Sequence, residues 1–432
     1  MESRCNSPIC SSVEQLALFG GVNGAVERKR AVSVEPERLD SESRLGKTDT
    51  EMPKFYEFFA GGGMARAGLG DAWTCLFAND FDAKKGASYV ANWGGTDLRV
   101  ADIADLTSRD LPGRAELAWA SFHCQDLSLA GDYRGLAGRR SGTFWQFWRL
   151  MEELSSEGLG PNVIVLENVC GAITSHGGKD FAAIGSALTE GGYRFGALVM
   201  DAVHFVPQSR PRLFVVAVRM DCDIAGGLLQ ERPDPVWHPA NLVAAQAKMP
   251  EAARAAWAWW QLPAPPRRKA CFADLIEAEP EGVKWNTPAE TRKLLAMMSD
   301  LNRKKVELAK RMGRRMVGGL YKRTRLDEAG VRVQRAEVRF DDVAGCLRTP
   351  VGGSSRQSIL VVEGKEVRSR LLSPREAARL MGLPESYRLP RNYNEAYHLA
   401  GDGVAVPVVR FLTAHLLEAL VRLGSRRRKA AA

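Results

Sequence analysis

One cysteine, one carboxylate and two arginines stand where short apolar runs end. Cys124 sits in Ser121-Phe122-His123-Cys124-Gln125, directly after the apolar run 118–122. A thiol on the loop that leaves a strand is placed where α/β sheets carry their reacting groups. Its thiolate could attack an electrophilic carbon and form a covalent intermediate. A cysteine standing alone is more often a small core residue, so it needs partners. Glu167-Asn168-Val169 closes the apolar run 163–166 and would bring a carboxylate to the same edge. Gln208-Ser209-Arg210-Pro211-Arg212 precedes the run 213–218. Two arginines around a proline there can clamp a phosphate or brace a catalytic loop.

A second group of residues points to a ligand. Phe59, Ala60, Gly61, Gly62 and Gly63 lie between a strand-like and a helix-like stretch. Glycines there let backbone approach a ligand closely, although such turns are also often merely tight. Asn79-Asp80-Phe81-Asp82 follows another apolar run about 20 residues later, the distance at which a carboxylate can hold a ribose. Together they suggest a nucleoside-containing cofactor. The glycine spacing does not match G-x-G-x-x-G, which argues against a dinucleotide. Asp102-Ile103 adds a third acidic loop that could hold an adenine amino group.

These residues need a scaffold. Residues 55–59, 118–122, 163–166 and 213–218 read as strands, and stretches such as 142–154 and 180–189 read as helices. Strands separated by helices predict parallel βαβ units in a doubly wound α/β sheet. The rhythm fails after about Cys222, where prolines, basic residues and Gly-Gly pairs predict a second, irregular domain. Ser373, Pro374 and Glu376 supply an N-cap, a first-turn proline and a capping-box acid, so a helix should start there. A last helix is expected over about 406–423. The expected division is a disordered tail at 1–52, a catalytic part at 53–222, an inserted domain at 223–367, a returning part at 368–424 and a basic tail at 425–432. With 432 residues, 45% of them hydrophobic, the chain can bury a sizeable core. No run of about 18 apolar residues stands out, so no membrane span is expected. The eight cysteines lack paired metal-ligand spacing, so no metal is expected, and free thiols suit a reducing cytoplasm. The net charge of +9 fits a polyanionic partner. Between 292 and 339 there are 15 Lys and Arg against 5 Asp and Glu. A solvated helix face would look the same.

In this order and spacing, the signatures resemble the cytosine-5 DNA methyltransferase family over about 55–218 and 371–423. The resemblance rests on 59–63, Asp80, Asp102-Ile103, Cys124-Gln125, Thr143-Phe144, Glu167-Asn168-Val169, Gln208 with Arg210 and Arg212, the 372–383 helix and the 401–407 stretch. It implies a class I methyltransferase fold, Rossmann-like, with an inserted DNA-recognition domain. It implies S-adenosyl-L-methionine held by the glycine loop, Asp80, Phe81, Asp102, Ile103, Phe144, Asp402 and Val404. Cys124 would be the nucleophile, Glu167 would contact the cytosine ring, and Arg210 and Arg212 would complete the catalytic group. Double-stranded DNA would be the partner, through Gln125, Ser128, Gln208, Arg314, Arg315, Lys322, Arg323 and Arg325. A monomer is expected, cytoplasmic and associated with the nucleoid.

Three positions depart from the family pattern. His123 stands where proline usually precedes the cysteine, which removes a constraint on the loop and adds a titratable group. Asp80 replaces a commoner glutamate. Gly62 replaces a larger residue and is expected to leave extra room in the cofactor loop. Two alternatives follow: a DNA-binding protein of this fold impaired in catalysis, and an RNA cytosine-5 methyltransferase. Residues 15–19, QLALF, resemble the short peptides with which bacterial proteins dock on the replication sliding clamp.

Overall fold

The computed structural model describes residues 51–122, 142–326, 330–348 and 356–422. Seven strands form the large sheet: β1 (Lys54–Phe58), β2 (Thr74–Asp80), β3 (Leu98–Val100), β4 (Leu117–Ser121), β5 (Val163–Val169), β6 (Tyr193–Asp201) and β7 (Pro211–Arg219), in the order β3-β2-β1-β4-β5-β7-β6. Neighbours from β3 through β5 run parallel, and β7 is antiparallel to both β5 and β6. The four expected strands are present. The strand reading missed β6, whose nine residues follow helix α4 (Lys179–Glu190) directly.

Alternation along each strand feeds two cores, as side chains on successive residues must. Phe55, Leu117, Trp119, Val163, Val165, Phe214 and Val216 face one side. Tyr56, Phe58, Ala118, Ala120, Ile164, Leu166, Leu213 and Val215 face the other. Helix α3 (Thr143–Ser156) covers the second side with Phe144, Phe147, Leu150, Met151 and Leu154. The first side is covered by α1 (Met64–Leu69) and by α11 (Val406–Leu412) from the far end of the chain. At their crossing a Cβ on Gly68 would stand 2.3 Å from Val409 Cβ, so glycine permits the close approach.

The chain beyond Cys222 is more regular than its composition suggests. Strand β8 (Leu229–Gln230) pairs with β9 (Trp259–Trp260), and α5 (Ala240–Ala247), α6 (Glu251–Ala255) and α7 (Pro288–Ala296) complete this stretch. Trp237 and Trp260 enter the first core, and Leu242 and Met249 enter the second. A separate antiparallel sheet follows, built from β10 (Met316–Leu326), β11 (Arg332–Arg339), β12 (Ser358–Glu363) and β13 (Glu366–Leu371), in the order β11-β10-β12-β13. Helix α8 (Asp300–Arg311) packs Val306 and Ala309 against Leu320, Ala336 and Val338 of this sheet. Strand β12 pairs with β10 only over 316–320, whereas β10 and β11 pair over 319–326 and 332–339. Residues 321–326 and 332–337 therefore form a two-stranded ribbon beyond the rest of the sheet.

The chain returns to the large sheet through α9 (Pro374–Leu380). The Ser373 hydroxyl accepts from Glu376 N at 3.1 Å, and the Glu376 carboxylate accepts from Ser373 N at 2.7 Å, the expected capping box. The same carboxylate pairs with Arg370 of β13, both side chains fully buried, which ties the second sheet to α9. Helix α10 (Tyr393–Asp402) leads into α11, which continues through a π turn (Thr413–Leu417) to residue 422. The run Tyr393–Arg422 is long and apolar enough to cross a membrane by length and composition alone, but most of its apolar window is buried inside the protein. Leu399, Val409, Leu412, Leu416 and Leu420 of that run are packed into the first core.

Candidate active site

After β3 the chain crosses back to lay β4 beside β1, so the sheet reverses direction between β1 and β4. Ligands bind α/β sheets at such points, beyond the carboxyl ends of the strands. A cleft open to solvent lies there. Its lining includes Phe59, Ala60, Gly61 and Gly62 after β1, Asp80 and Phe81 at β2, Ser121 at β4, and Asp402 and Val404 from the C-terminal part. Positive φ at Gly61 (56°) and Gly63 (76°) turns the loop back on itself. Asp80 holds it there: one carboxylate oxygen accepts from Gly61 N at 2.8 Å, the other from Asp82 N at 2.9 Å. Lys85 of helix α2 (Ala83–Trp93) pairs with Asp402 at 2.8 Å across the cleft. Burial works to lower the Lys85 pKa, but the Asp402 carboxylate outweighs it and holds the ammonium above its usual range.

Asp102, Ile103 and Phe144 stand outside that lining. The Asp102 carboxylate accepts from Ala104 N at 2.9 Å, Ile103 is buried, and Phe144 packs its ring against Phe122. Gly62 leaves no extra room. A Cβ there would stand 2.2 Å from the Tyr387 hydroxyl and 3.0 Å from Leu399 Cδ1. Tyr387 fills the space and donates to Gly62 O at 2.8 Å, while Trp93 Nε1 donates to the same oxygen at 2.9 Å. The sequence could not show this, because Tyr387 lies 325 residues away.

The cleft also contains an acid that the sequence reading passed over. Glu57 of β1 is 1% exposed and lines the cleft. Its Oε1 accepts a long bond from Arg66 N, 3.3 Å, and its Oε2 has no hydrogen-bond partner among the described residues. Burial pushes its pKa up to about 8. The available signal was a carboxylate in the middle of an otherwise aromatic strand.

Glu167 sits beside this cleft. It is the β5 residue paired with Ser121, the last residue of β4 and part of the cleft wall. Arg212 pairs across the sheet with Val169, so it is the diagonal neighbour of Glu167 on the same face. Its Nε lies 3.3 Å from Glu167 Oε1, both side chains being largely buried. Asn168 donates to Phe122 O at 2.8 Å and so fixes the end of β4. His123, Cys124, Gln125 and Ser128 lie outside the described residues, as do residues 15–19.

Arg210 and Gln208 occupy the interior. Arg210 is 2% exposed and donates to the carbonyls of Gly401 and Gly403, both at 2.7 Å, and of Leu347 at 3.1 Å. Burial, and then the neighbouring Arg212, lower its pKa to about 10. This is the bracing role of the two weighed for the arginines, and it makes Arg210 a positioning residue. Gln208, expected on the DNA, is fully buried instead. Its Nε2 donates to Leu380 O at 2.8 Å, and its Oε1 accepts from Leu347 N at 3.1 Å. It joins the two stretches of chain rather than facing outward.

The basic residues of the second sheet separate by face. Arg323 and Arg325 share the ribbon face of Glu337, at 3.5 Å and 2.6 Å from its carboxylate. Arg335, opposite Arg323 in register, shares that face and was missed. Lys322 lies on the reverse face opposite Ala336, which is packed towards α8. Arg315 pairs with Glu363 at 3.0 Å and donates to Ile276 O, so it is tied into the domain. Arg314 is exposed.

Comparison with known proteins matches residues 53–418 to the C-5 cytosine-specific DNA methylases. The Type II methyltransferase M.BsuFI of Bacillus subtilis is 25% identical over 88% of this chain and 78% of its own length. M.HhaI of Haemophilus parahaemolyticus is 22% identical over 83% and 92%. M.NlaX of Neisseria lactamica is 25% identical over 87% and 100%. Among solved structures, the S. pombe Dnmt2 methyltransferase superposes with a TM-score of 0.52 at 19% identity, over 85% of this chain and 99% of that one. That likeness concerns the fold.

Proposed function

This chain belongs to the C-5 cytosine-specific DNA methylases, and we propose that it methylates carbon 5 of cytosine in a defined double-stranded DNA sequence through a covalent bond to Cys124. The observation that carries the reading is the meeting of two features at Ser121. The cleft at the sheet's reversal point includes Ser121 in its wall, and the Glu167–Arg212 pair begins at its β5 neighbour. Cys124 follows Ser121 by three residues.

The residues of the cleft fit S-adenosyl-L-methionine. They offer a glycine loop that backbone can approach, a β2-end carboxylate and further carboxylates for a cationic ligand. Phe59, Ala60, Gly61, Gly62, Gly63, Asp80, Phe81, Asp402 and Val404 would hold it, with Asp102, Ile103 and Phe144 nearer the adenine. When bound, this cofactor supplies a methyl group on a sulfonium, ready for a carbon nucleophile.

Carbon 5 of cytosine is a poor nucleophile. The Cys124 thiolate adds to carbon 6, which makes carbon 5 enamine-like. Glu167 holds a proton at the ring nitrogen and so accepts the electron density that the addition pushes into the ring. Arg212 orients the Glu167 carboxylate. Carbon 5 would then be the nucleophile for the methyl group that the cofactor supplies. A base removes the carbon 5 proton, and the thiolate leaves. None of these atoms is reachable inside a duplex, so the cytosine must be turned out of the stack. The exposed ribbon face with Arg323, Arg325 and Arg335 is the proposed duplex contact, since a two-stranded ribbon fits the major groove.

The reading is tested by expressing the chain in a host that lacks cytosine methylation and sequencing its genomic DNA for 5-methylcytosine. Methylation confined to one short sequence is expected. Methylation of RNA alone, or of nothing, would contradict it.

A further inference from the structure

The cleft at the sheet's reversal point carries the acids Glu57, Asp80 and Asp402 and, among the described residues of its lining, a single cation, Lys85. Lys85 lies in the first turn of α2, whose N-cap Asp82 accepts from Lys84 N at 2.8 Å and from Lys85 N at 3.4 Å. A cation there faces the positive end of the helix dipole, a placement that the helix by itself disfavours. Its side chain is only 14% exposed, so burial opposes the charge as well. Carboxylates hold the charge in place. Asp402, at 2.8 Å, is its ion-pair partner, and Asp80 and Asp82 act on it from the near side of the cleft. The neighbouring Lys84 pairs with Glu395, and the Arg66 guanidinium is taken by Tyr89 and Asp97.

The glycine loop that shares the cleft with Lys85 has few amides left for an anion. Ala60 N donates to Asn79 O at 2.9 Å, Gly63 N to Ala60 O at 2.8 Å, and Gly61 N to Asp80. S-adenosylmethionine brings cationic groups, its sulfonium and its ammonium, together with a single anion, its α-carboxylate. Among so many acids the carboxylate is the part of the ligand that is repelled, and the Lys85 ammonium is the charge that stands against the repulsion. An ammonium offers several N–H donors, so Lys85 can keep Asp402 and take a further oxygen. We propose that Lys85 receives the α-carboxylate of the bound cofactor, which then shares its ammonium with Asp402. The inference rests on S-adenosylmethionine being the cofactor. It makes Lys85 a determinant of specificity: sulfonium ligands that carry a carboxylate are favoured over those that carry cations alone.

S-adenosylmethionine and its decarboxylated form, S-adenosylmethioninamine, differ in that carboxylate alone. Calorimetric titration of each into the full chain at neutral pH tests the proposal. The wild type should bind S-adenosylmethionine about tenfold or more tightly than the decarboxylated form. Lys85→Gln should lose about tenfold or more of the affinity for S-adenosylmethionine. It should bind the decarboxylated form as well as the wild type does, or better, because a repelling charge is gone. That result also shows that the variant is folded. Equal affinity of the wild type for the two ligands overturns the proposal, whatever the variant does. A Lys85→Gln variant that keeps the full preference overturns it too, and gives the carboxylate to the loop amides. So does one that weakens both ligands alike, which would make Lys85 no more than a brace for Asp402. If the wild type binds neither ligand, the cofactor reading falls and takes this inference with it.

Discussion

The Tyr387 hydroxyl occupies the place that a side chain at position 62 would need. Gly62→Ala should therefore strain the cofactor loop by about 1–3 kcal/mol, the usual cost of overpacking. Removing the obstructing oxygen with Tyr387→Phe should relieve part of that. Urea unfolding of the two single variants and the double variant reads the coupling; simple additivity would mean that the Tyr387 hydroxyl is not the source of the strain. Arg210 makes a different prediction, because it donates to three backbone carbonyls from a fully buried position. Arg210→Ala leaves those oxygens without their donor and should lower the unfolding free energy by about 3 kcal/mol. A loss below ~1 kcal/mol in urea denaturation would mean that water replaces the guanidinium easily. The sequence revealed Glu167 and Arg212 because strand ends place residues at a known edge. It could not separate Gln208 from Arg212, since four positions of chain do not say which side chain turns inward.

Among the elements, the two-stranded ribbon is the least legible in sequence and the most exposed to partners. Its strands carry charged residues on both faces, so the apolar period that revealed β1, β4, β5 and β7 is missing. Only Ala336, packed at its base, is buried, along with Leu320 and Val338 just beyond it. Glu337 gathers Arg323 and Arg325 on one face, leaving Lys322 on the other. Replacing Arg323, Arg325 and Arg335 together by glutamine should weaken DNA binding. It should also flatten the dependence of affinity on salt, by ~0.9 in log–log slope for each phosphate that the variant no longer neutralises. Lys322→Gln should change the slope less, and cofactor affinity should stay constant in both. Titrations of duplex DNA at several salt concentrations check this. Equal slopes in all variants would move the DNA-binding surface elsewhere.

At the scale of the whole molecule, the α/β class, the strands that carry the site and the returning C-terminal helices follow from apolar runs and from one capping box. What stayed hidden depends on contacts between distant parts of the chain: Tyr387 on Gly62, Arg210 on Gly401 and Gly403, and the tryptophans of the inserted stretch on the large sheet. The same distance explains why 223–367 looked irregular. Its tryptophans Trp237 and Trp260 enter a core that strands far earlier in the chain build. These contacts bring one cleft and one carboxylate–arginine pair to a single sheet edge, and the central claim is that Cys124 bonds covalently to cytosine there. The direct measurement uses duplex DNA carrying 5-fluorocytosine at the target, where fluorine cannot leave as the proton does. With S-adenosylmethionine present, the wild-type chain should give a protein–DNA species that survives denaturing electrophoresis. Cys124→Ala should give none while still binding cofactor. A wild-type chain that methylates cytosine yet forms no such species, or a Cys124→Ala variant that still methylates, would contradict the account.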